Sequence, residues 1–330
     1  MSDHPDVTVV VCSYNRADSL SEALESLVSL QTDGFSYEVL VVDNASTDHT
    51  PDVVQQAAAS SACSVRYVME KQPGVSFARN CGVREACGQW LVFFDDDELA
   101  EPDLLVQLLK AAEKKQVKCV GGAIKLCLIG ENGEDKTEQR NLRPWVRVMF
   151  NCTRDMTVGQ FYNRTCTPGT GNMLVHRDIF DKIGLFRTDL VEGGEDTDLY
   201  HRMRGAGFAV YYSPEALVHH RVPEFRLEPK YMKLASLRMG GHVARREYQH
   251  YNKLTYPMVI VARGLQTSLL HGSCLVFALI GGNKEAVLER KCKWWLGQGY
   301  LQAAMRFLFY KDAAVSSLQF RNERKPASSS

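Results

Sequence analysis

The sequence has no net charge: 39 Lys+Arg stand against 39 Asp+Glu. Without a cationic surplus the chain is a poor general nucleic-acid binder, and no nucleic-acid partner is expected. The opening MSDHPDVTVVV has no basic region leading into an apolar run and a small-residue cleavage site. It does not read as a secretory signal, so the expected location is cytoplasmic or at the inner face of a membrane. None of the ten cysteines forms a C-x-x-C pair, so zinc-site spacing is lacking. They read as reduced, mostly buried small hydrophobes. Asn44-Ala-Ser, Asn151-Cys-Thr and Asn163-Arg-Thr then read as chance matches to the glycosylation pattern. No internal repeat is visible. The first strand-like run is not followed by a Gly-rich phosphate loop, which argues against a dinucleotide-binding oxidoreductase.

What is present begins with size. At 330 residues, 45% of them hydrophobic, the chain suits a globular protein of one large domain plus an appendage, or of two domains. The charge balance is a cancellation. Arg226–Ser330 contains 17 Lys+Arg and 6 Asp+Glu, net +11, which leaves 22 and 33, net −11, in Met1–Phe225. Such asymmetry suggests two jobs, and the expected division is 1–225 and 226–330.

The first part alternates strands and helices. Val7–Cys12, Tyr37–Val42, Val65–Glu70 and Trp90–Phe94 are short apolar runs of the kind buried on both sheet faces. Between them, Ser19–Leu30, Pro51–Ser60, Ser76–Glu85 and Pro102–Lys115 read as helices. The alternation implies a mainly parallel sheet flanked by helices. Further on, Gly130–Glu138 reads as an exposed loop and Trp145–Thr165 shows no clear pattern. Thr170–Val175 is strand-like, His176–Gly184 and Glu195–Gly207 are helical, and Phe208–Tyr212 is a short strand closed by Ser213-Pro214.

Ligands of such sheets sit beyond the carboxyl ends of the strands. Three polar clusters fall there: Ser13-Tyr14-Asn15-Arg16, Asp43-Asn44 and Asp95-Asp96-Asp97. Any one could be an ordinary solvated loop; together they favour one crevice. Adjacent carboxylates repel, and Asp95–Asp97 therefore suit a hard divalent cation, Mn²⁺ or Mg²⁺, shared with substrate phosphates. The competing reading is an acidic run before a helix, favoured by its dipole. Gly193-Gly194-Glu195-Asp196-Thr197-Asp198 opens a helix, where the glycines let a ligand approach and one carboxylate can act as general base; helix capping is the alternative. His219-His220 closes a strand–turn and offers a metal ligand.

The segments VTVVVCSYNR, VVDNASTD, PGVSFARNCGVREACGQWLVFFDDDE and GGEDTDLYHRMRGAGFAVYYSPEALVHH, in that order, resemble the family 2 inverting nucleotide-sugar glycosyltransferases. The resemblance spans about Asp6–Val222. It implies a GT-A fold, which is Rossmann-like, with a C-terminal helical extension here. It also implies a nucleoside-diphosphate-sugar donor and a divalent metal. On that likeness Asp43 contacts the nucleoside base, with Arg79 near the base or diphosphate. Asp95 and Asp97 form the DxD pair, Asp95 beside ribose or metal and Asp97 on the metal. His220 is the metal-binding histidine and Asp196 the catalytic base. The donor contacts extend to Ser13, Tyr14, Asn15, Arg16, Asn44 and Asp96, and the acceptor is expected near Gly194 and Glu195. The Q-x-x-R-W motif of processive synthases does not follow Glu195-Asp196, which argues for transfer of one sugar, to a glycan or lipid-linked acceptor. A sugar-1-phosphate nucleotidyltransferase would share the fold but lacks its Gly-rich loop here. A non-catalytic sugar-nucleotide-binding or scaffold protein is disfavoured by the intact metal and base motifs.

Arg226–Ser330 matches no motif. Tyr231–Met239 and Ala286–Leu296 read as helical, and Gly264–Asn283 has no Asp, Glu, Lys or Arg. That stretch is long enough to span a bilayer but contains Gln266, Thr267, Ser268 and His271, so a buried core helix or an interfacial segment is preferred. Its basic and aromatic neighbours suit peripheral association with an anionic membrane; a helical cap on the acidic catalytic part is the alternative.

Overall fold

The computed structural model describes residues 4–140, 142–150, 152, 156–163, 167–190, 193–252 and 254–309. Two of the glycosylation-pattern matches, Asn151-Cys-Thr and Asn163-Arg-Thr, fall partly outside them. The chain divides into two compact units, Met1–Arg226 and Leu227–Ser330.

The first unit is built on a nine-stranded mixed sheet flanked by helices. β1 (Val7–Ser13), β2 (Tyr37–Asp43), β3 (Ser64–Met69) and β4 (Trp90–Asp95) run parallel in the order β3-β2-β1-β4. The connections are α1 (Ala17–Leu27), α2 (Thr50–Ser60) and α3 (Val75–Glu85). β1, β2 and β4 are buried almost throughout, as near-continuous Val, Leu and Phe runs require of strands covered on both faces. In α1, Leu20, Leu24 and Leu27 recur at helical spacing and are fully buried.

Beyond β4 the sheet departs from simple alternation. After β5 (Glu98–Ala100) and α4 (Leu104–Lys115) comes β6 (Cys119–Ile129). Then follow α5 (Pro144–Val148), β7 (Gln160–Phe161), β8 (Asn172–His176), α6 (Arg177–Ile183), α7 (Glu195–Gly205) and β9 (Tyr211–Pro223). The order continues β8-β6-β9-β5, with β7 also on β9. β8 is antiparallel to β4 and β6, β6 and β9 are parallel, and β5 is antiparallel to β9.

Three expectations change. Glu98–Ala100 is a strand, not part of a pre-helical acidic run. Cys119–Ile129 is an eleven-residue strand that the sequence reading passes over. The strand expected to end at Ser213-Pro214 instead runs to Pro223, because Pro214–Ala216 bulge out between the pairs Gly122↔Ser213 and Ala123↔Leu217. A bulge accommodates a proline that cannot join the ladder. The histidine pair therefore lies inside a strand, with His220 opposite Glu98 and His219 opposite Leu99. The core includes Val10, Leu40, Leu91, Phe93, Phe180, Phe186, Leu199 and Met203. The Phe93 ring meets Phe186 edge-on at 5.3 Å. Among the described residues all cysteines are free.

The second unit is helical: α8 (Pro229–His250), α9 (Thr255–Leu265), a π-helical turn (Gln266–His271), α10 (Gly272–Ile280) and α11 (Lys284–Phe309). α8 and α11 cross closely. A Cβ on Gly240 would come within 2.1 Å of the Leu296 carbonyl, and one on Gly299 within 2.1 Å of the Leu237 carbonyl. Ala244, Tyr256, Ile260, Tyr300 and Ala304 form this unit's small core. Glu247 is satisfied there by the Tyr300 hydroxyl at 2.6 Å and by Arg263 at 2.5 Å.

Candidate active site

The parallel strands end together. The register pairs Ser13 of β1 with Asp43 of β2, and Cys12 with Asp95 of β4. The three polar clusters therefore lie side by side at one sheet edge, which is what the topology of such sheets offers a ligand.

The β2 side is a buried carboxylate in a shaped loop. Asp43 is fully buried, and it accepts the Ser46 amide at 2.9 Å and the Tyr67 hydroxyl at 2.7 Å. The Asn44 amide donates to the Glu70 and Gln72 carbonyls at 3.1 and 2.7 Å and accepts the Gly74 amide at 2.7 Å. Asn44 thus fastens residues 70–74 rather than facing outward. Asn15 adopts a left-handed φ of 53° and its Oδ1 accepts the Thr47 amide at 2.8 Å. Tyr14 is exposed at the rim.

The β4 side is a dense charge network. Asp96 is buried, accepting the Ser13 hydroxyl at 2.7 Å and Arg16 Nη1 at 2.8 Å. Burial, followed by the charge of Asp97, pushes its pKa up to about 6 against the pull of Arg16 and Ser13. Ser13 and Asp96, both expected on the donor, satisfy each other inside the protein. Asp97 faces Arg16 at 3.0 Å, His220 Nε2 at 3.5 Å and Arg226 at 3.5 Å. Despite burial, His220 and the two arginines hold the Asp97 pKa well below the usual carboxylate range. Burial lowers the pKa of His220, but its hydrogen bonds with Asp97 and Cys152 and the charges of Asp97 and Glu98 raise it to about 11. The other ring nitrogen, Nδ1, donates to the Phe150 carbonyl at 2.8 Å. That bond fixes the ring with Nε2 towards Asp97.

Arg79, on α3, joins the two motifs. It is buried, 2.5 Å from Glu195 and 3.6 Å from Asp95. Burial drives the Asp95 pKa up against Arg79, with Asp97 adding to the rise. Gly193 and Gly194 take φ of 109° and 90°, a backbone that L side chains avoid, and deliver the chain into α7 at Glu195. Asp196 follows in the first turn, half-buried. Burial, then the Glu195 charge, raises its pKa to about 6, while Arg79 and the Thr197 amide pull the other way.

The structure brings together Ser13, Arg16, Asp96, Asp97 and His220 on one side, and Arg79, Asp95 and Glu195, which adjoins Asp196, on the other. It does not gather Asp95 with Asp97 and His220 as three ligands of one ion. Asp95 turns to Arg79, and among the described residues no group of three His, Cys, Asp or Glu is poised around a metal. His219, the other histidine of the pair, contacts Glu101 at 2.7 Å.

Two residues escape sequence reasoning. Arg226 reads there as the first residue of the basic segment, yet it belongs to the first unit and contacts Asp97. Glu98 is buried beside Asp95, its Oε2 has no partner, and burial and Asp95 raise its pKa well above normal. A Cβ on Gly171 would lie 2.6 Å from Glu98 Oε1 and 2.9 Å from Asp95 Oδ2, so only glycine leaves room there.

The family model described as Glycosyl transferase family 2 matches residues 8–184. The succinoglycan biosynthesis protein ExoM of Rhizobium meliloti is 29% identical over 247 residues, which is 71% of this chain and 72% of that protein. Glycosyltransferase AglE of Haloferax volcanii is 25% identical over 221 residues, 67% of this chain and 68% of that one. Among solved structures, the mannosyltransferase PcManGT from Pyrobaculum calidifontis, in complex with GDP-Man and Mn²⁺, superposes with a TM-score of 0.59 at 20% identity. That match covers 94% of this chain and 89% of that one.

Proposed function

The chain belongs to glycosyl transferase family 2, and from that premise we propose that it transfers one sugar, with inversion, from a nucleoside-diphosphate-sugar to an acceptor hydroxyl in glycan, polysaccharide or glycolipid synthesis. The observation that carries this reading is the junction at Arg79. One buried guanidinium ties the strand-end carboxylate Asp95 to Glu195, the neighbour of Asp196, and so couples a donor side to a base side.

On the donor side, Asp43 at the floor and Tyr14 at the rim would receive the base. Asn15 and Arg16 lie along the diphosphate path. Ser13, Asn44 and Asp96 act one step back, holding Arg16 and the residue 70–74 loop in place. The residues suit a divalent ion. Asp97 Oδ1 and His220 Nε2 are 3.5 Å apart, close to the roughly 3 Å between adjacent ligands of an octahedral ion with bonds of about 2.1 Å. Two protein donors leave the remaining positions to phosphate oxygens and water, the arrangement Mn²⁺ and Mg²⁺ favour. When bound, such an ion neutralises charge on the departing nucleoside diphosphate. Arg16 and Arg226 supply fixed positive charge beside the same leaving group.

Asp196 acts as general base. Held near pH 6, it is ionised at neutral pH yet basic enough to accept the acceptor hydroxyl proton as the oxygen attacks C1 opposite the leaving group. A single displacement inverts the anomeric carbon. Gly193 and Gly194, which carry no side chains, leave space for the acceptor in front of the base.

The test is Asp196→Asn. Calorimetry with Mn²⁺ and a panel of UDP-, GDP- and dTDP-sugars should give unchanged donor affinity with transfer abolished. Turnover near the wild-type rate would remove Asp196 from the base role. A wild-type chain that no donor stabilises against heat would overturn the donor reading itself.

A further inference from the structure

A helix in water normally turns its polar side outward; in the second unit the reverse holds. Along Thr255–Ile280 only Tyr256, Ile260 and Thr267 are buried. Met258, Val261, Leu265, Leu269, Phe277 and Ile280, spaced as one helical face, are 56 to 78% exposed. We infer that this face docks on an anionic lipid bilayer, the helix lying in the interfacial plane rather than crossing it.

Three observations select that occupant. The first is extent. The apolar ridge follows a 26-residue helix, about 39 Å long at 1.5 Å per residue, whereas isolated exposed side chains would need no explanation. The second is charge. Leu227–Phe309 contains 12 Lys+Arg and 4 Glu, net +8. Acidic headgroups attract such a unit, while a second copy of the same face would set +8 against +8.

The third observation argues against a span. α11 lies along the helix: Gly297 sits under Thr267, and Trp294 packs at Gly272, midway along the apolar stretch. α11 also carries Glu289, Arg290, Lys291 and Lys293 beside that tryptophan. If α9 and α10 crossed the hydrocarbon, those charges would be drawn in with them, which the bilayer strongly disfavours. Lying flat, the ridge enters the headgroup–acyl boundary and α11 stays hydrated.

The experiment is flotation of the full chain with phosphatidylcholine vesicles, alone or with a third of the lipid replaced by phosphatidylglycerol. The expected result is at least about tenfold more protein on the anionic vesicles, reversed by high salt. Leu269→Asp and Phe277→Asp, both at exposed positions, should each cut the bound fraction about tenfold. Donor-sugar hydrolysis should stay unchanged, which separates this test from that of the donor reading. Equal binding by these variants would overturn the inference. Carbonate-resistant protein with the helix protected from protease would also overturn it, in favour of a span. A lipid-indifferent dimer that the same variants split would do so in favour of a second copy.

Discussion

The two units solve the burial problem in opposite senses. In Met1–Arg226, apolar runs are sealed inside a sheet, and the charged groups are concentrated at the strand ends, many of them buried as well. In the helical unit, an apolar ridge faces outward and the interior keeps polar groups such as Glu247 and Thr267. Counted by unit, the charges are −10 for Met1–Arg226 (23 Lys+Arg, 33 Asp+Glu) and +10 for the remainder (16 and 6). The contrast teaches that a hydrophobic residue's meaning depends on the medium its unit was shaped for. Phe93 and Phe277 have the same side chain, 1% exposed in one unit and 73% in the other.

Experiments can break this contrast at several strengths. The largest effect belongs to the base. Asp196→Asn should lower transfer by about 10²–10⁴-fold, read as turnover under saturating donor. Because the folded state raises this carboxyl's pKa, its stabilising contribution is fully present below the unfolded value near 4 and is lost as pH rises through about 6. The variant should therefore be at least as stable as wild type at neutral pH.

Next comes the core. Phe93→Ala should cost about 3–5 kcal/mol in denaturant unfolding, through lost burial and the cavity left behind. Arg79→Met follows at about 3 kcal/mol, since it leaves Glu195 a buried, uncompensated carboxylate. A smaller effect is the acid limb of transfer. Below about pH 6 the Asp196 carboxyl is protonated, and the rate should fall tenfold per unit. The smallest is Phe277→Ser, expected within about 0.5 kcal/mol in lipid-free buffer. A loss comparable to that of Phe93→Ala would show that the ridge is covered inside the protein after all.

Legibility in the sequence follows the same division. β1, β2 and β4 are readable because a strand buried on both faces is apolar throughout, and their polar ends announce the site. β6 is obscured by Gly121 and Gly122, which weaken the strand signal for a packing reason: a Cβ on Gly122 would lie 2.2 Å from the Asn172 amide. Pro214 reads as a terminator, although the bulge carries the strand past it to His220. Asp97 and His220 can each be suspected from residue type, but their approach depends on β5 pairing with β9, a long-range fact that local periodicity does not contain. Arg226 is hidden among other basic residues, and nothing local marks it as a partner of Asp97.

The π-helical turn at Gln266–His271 has a consequence for how this region tolerates insertion and deletion. A π turn holds one residue more than the α-helical turn it replaces, so it sets the rotational phase between α9 and α10. Removing a single residue such as Ser268 would restore an unbroken α-helix. It would also swing everything downstream by about 100°, turning Phe277 and Ile280 away from the line of Met258 and Leu265. Length changes here therefore act as rotations of the helix face, and a one-residue deletion should be more disruptive than most substitutions along the same helix.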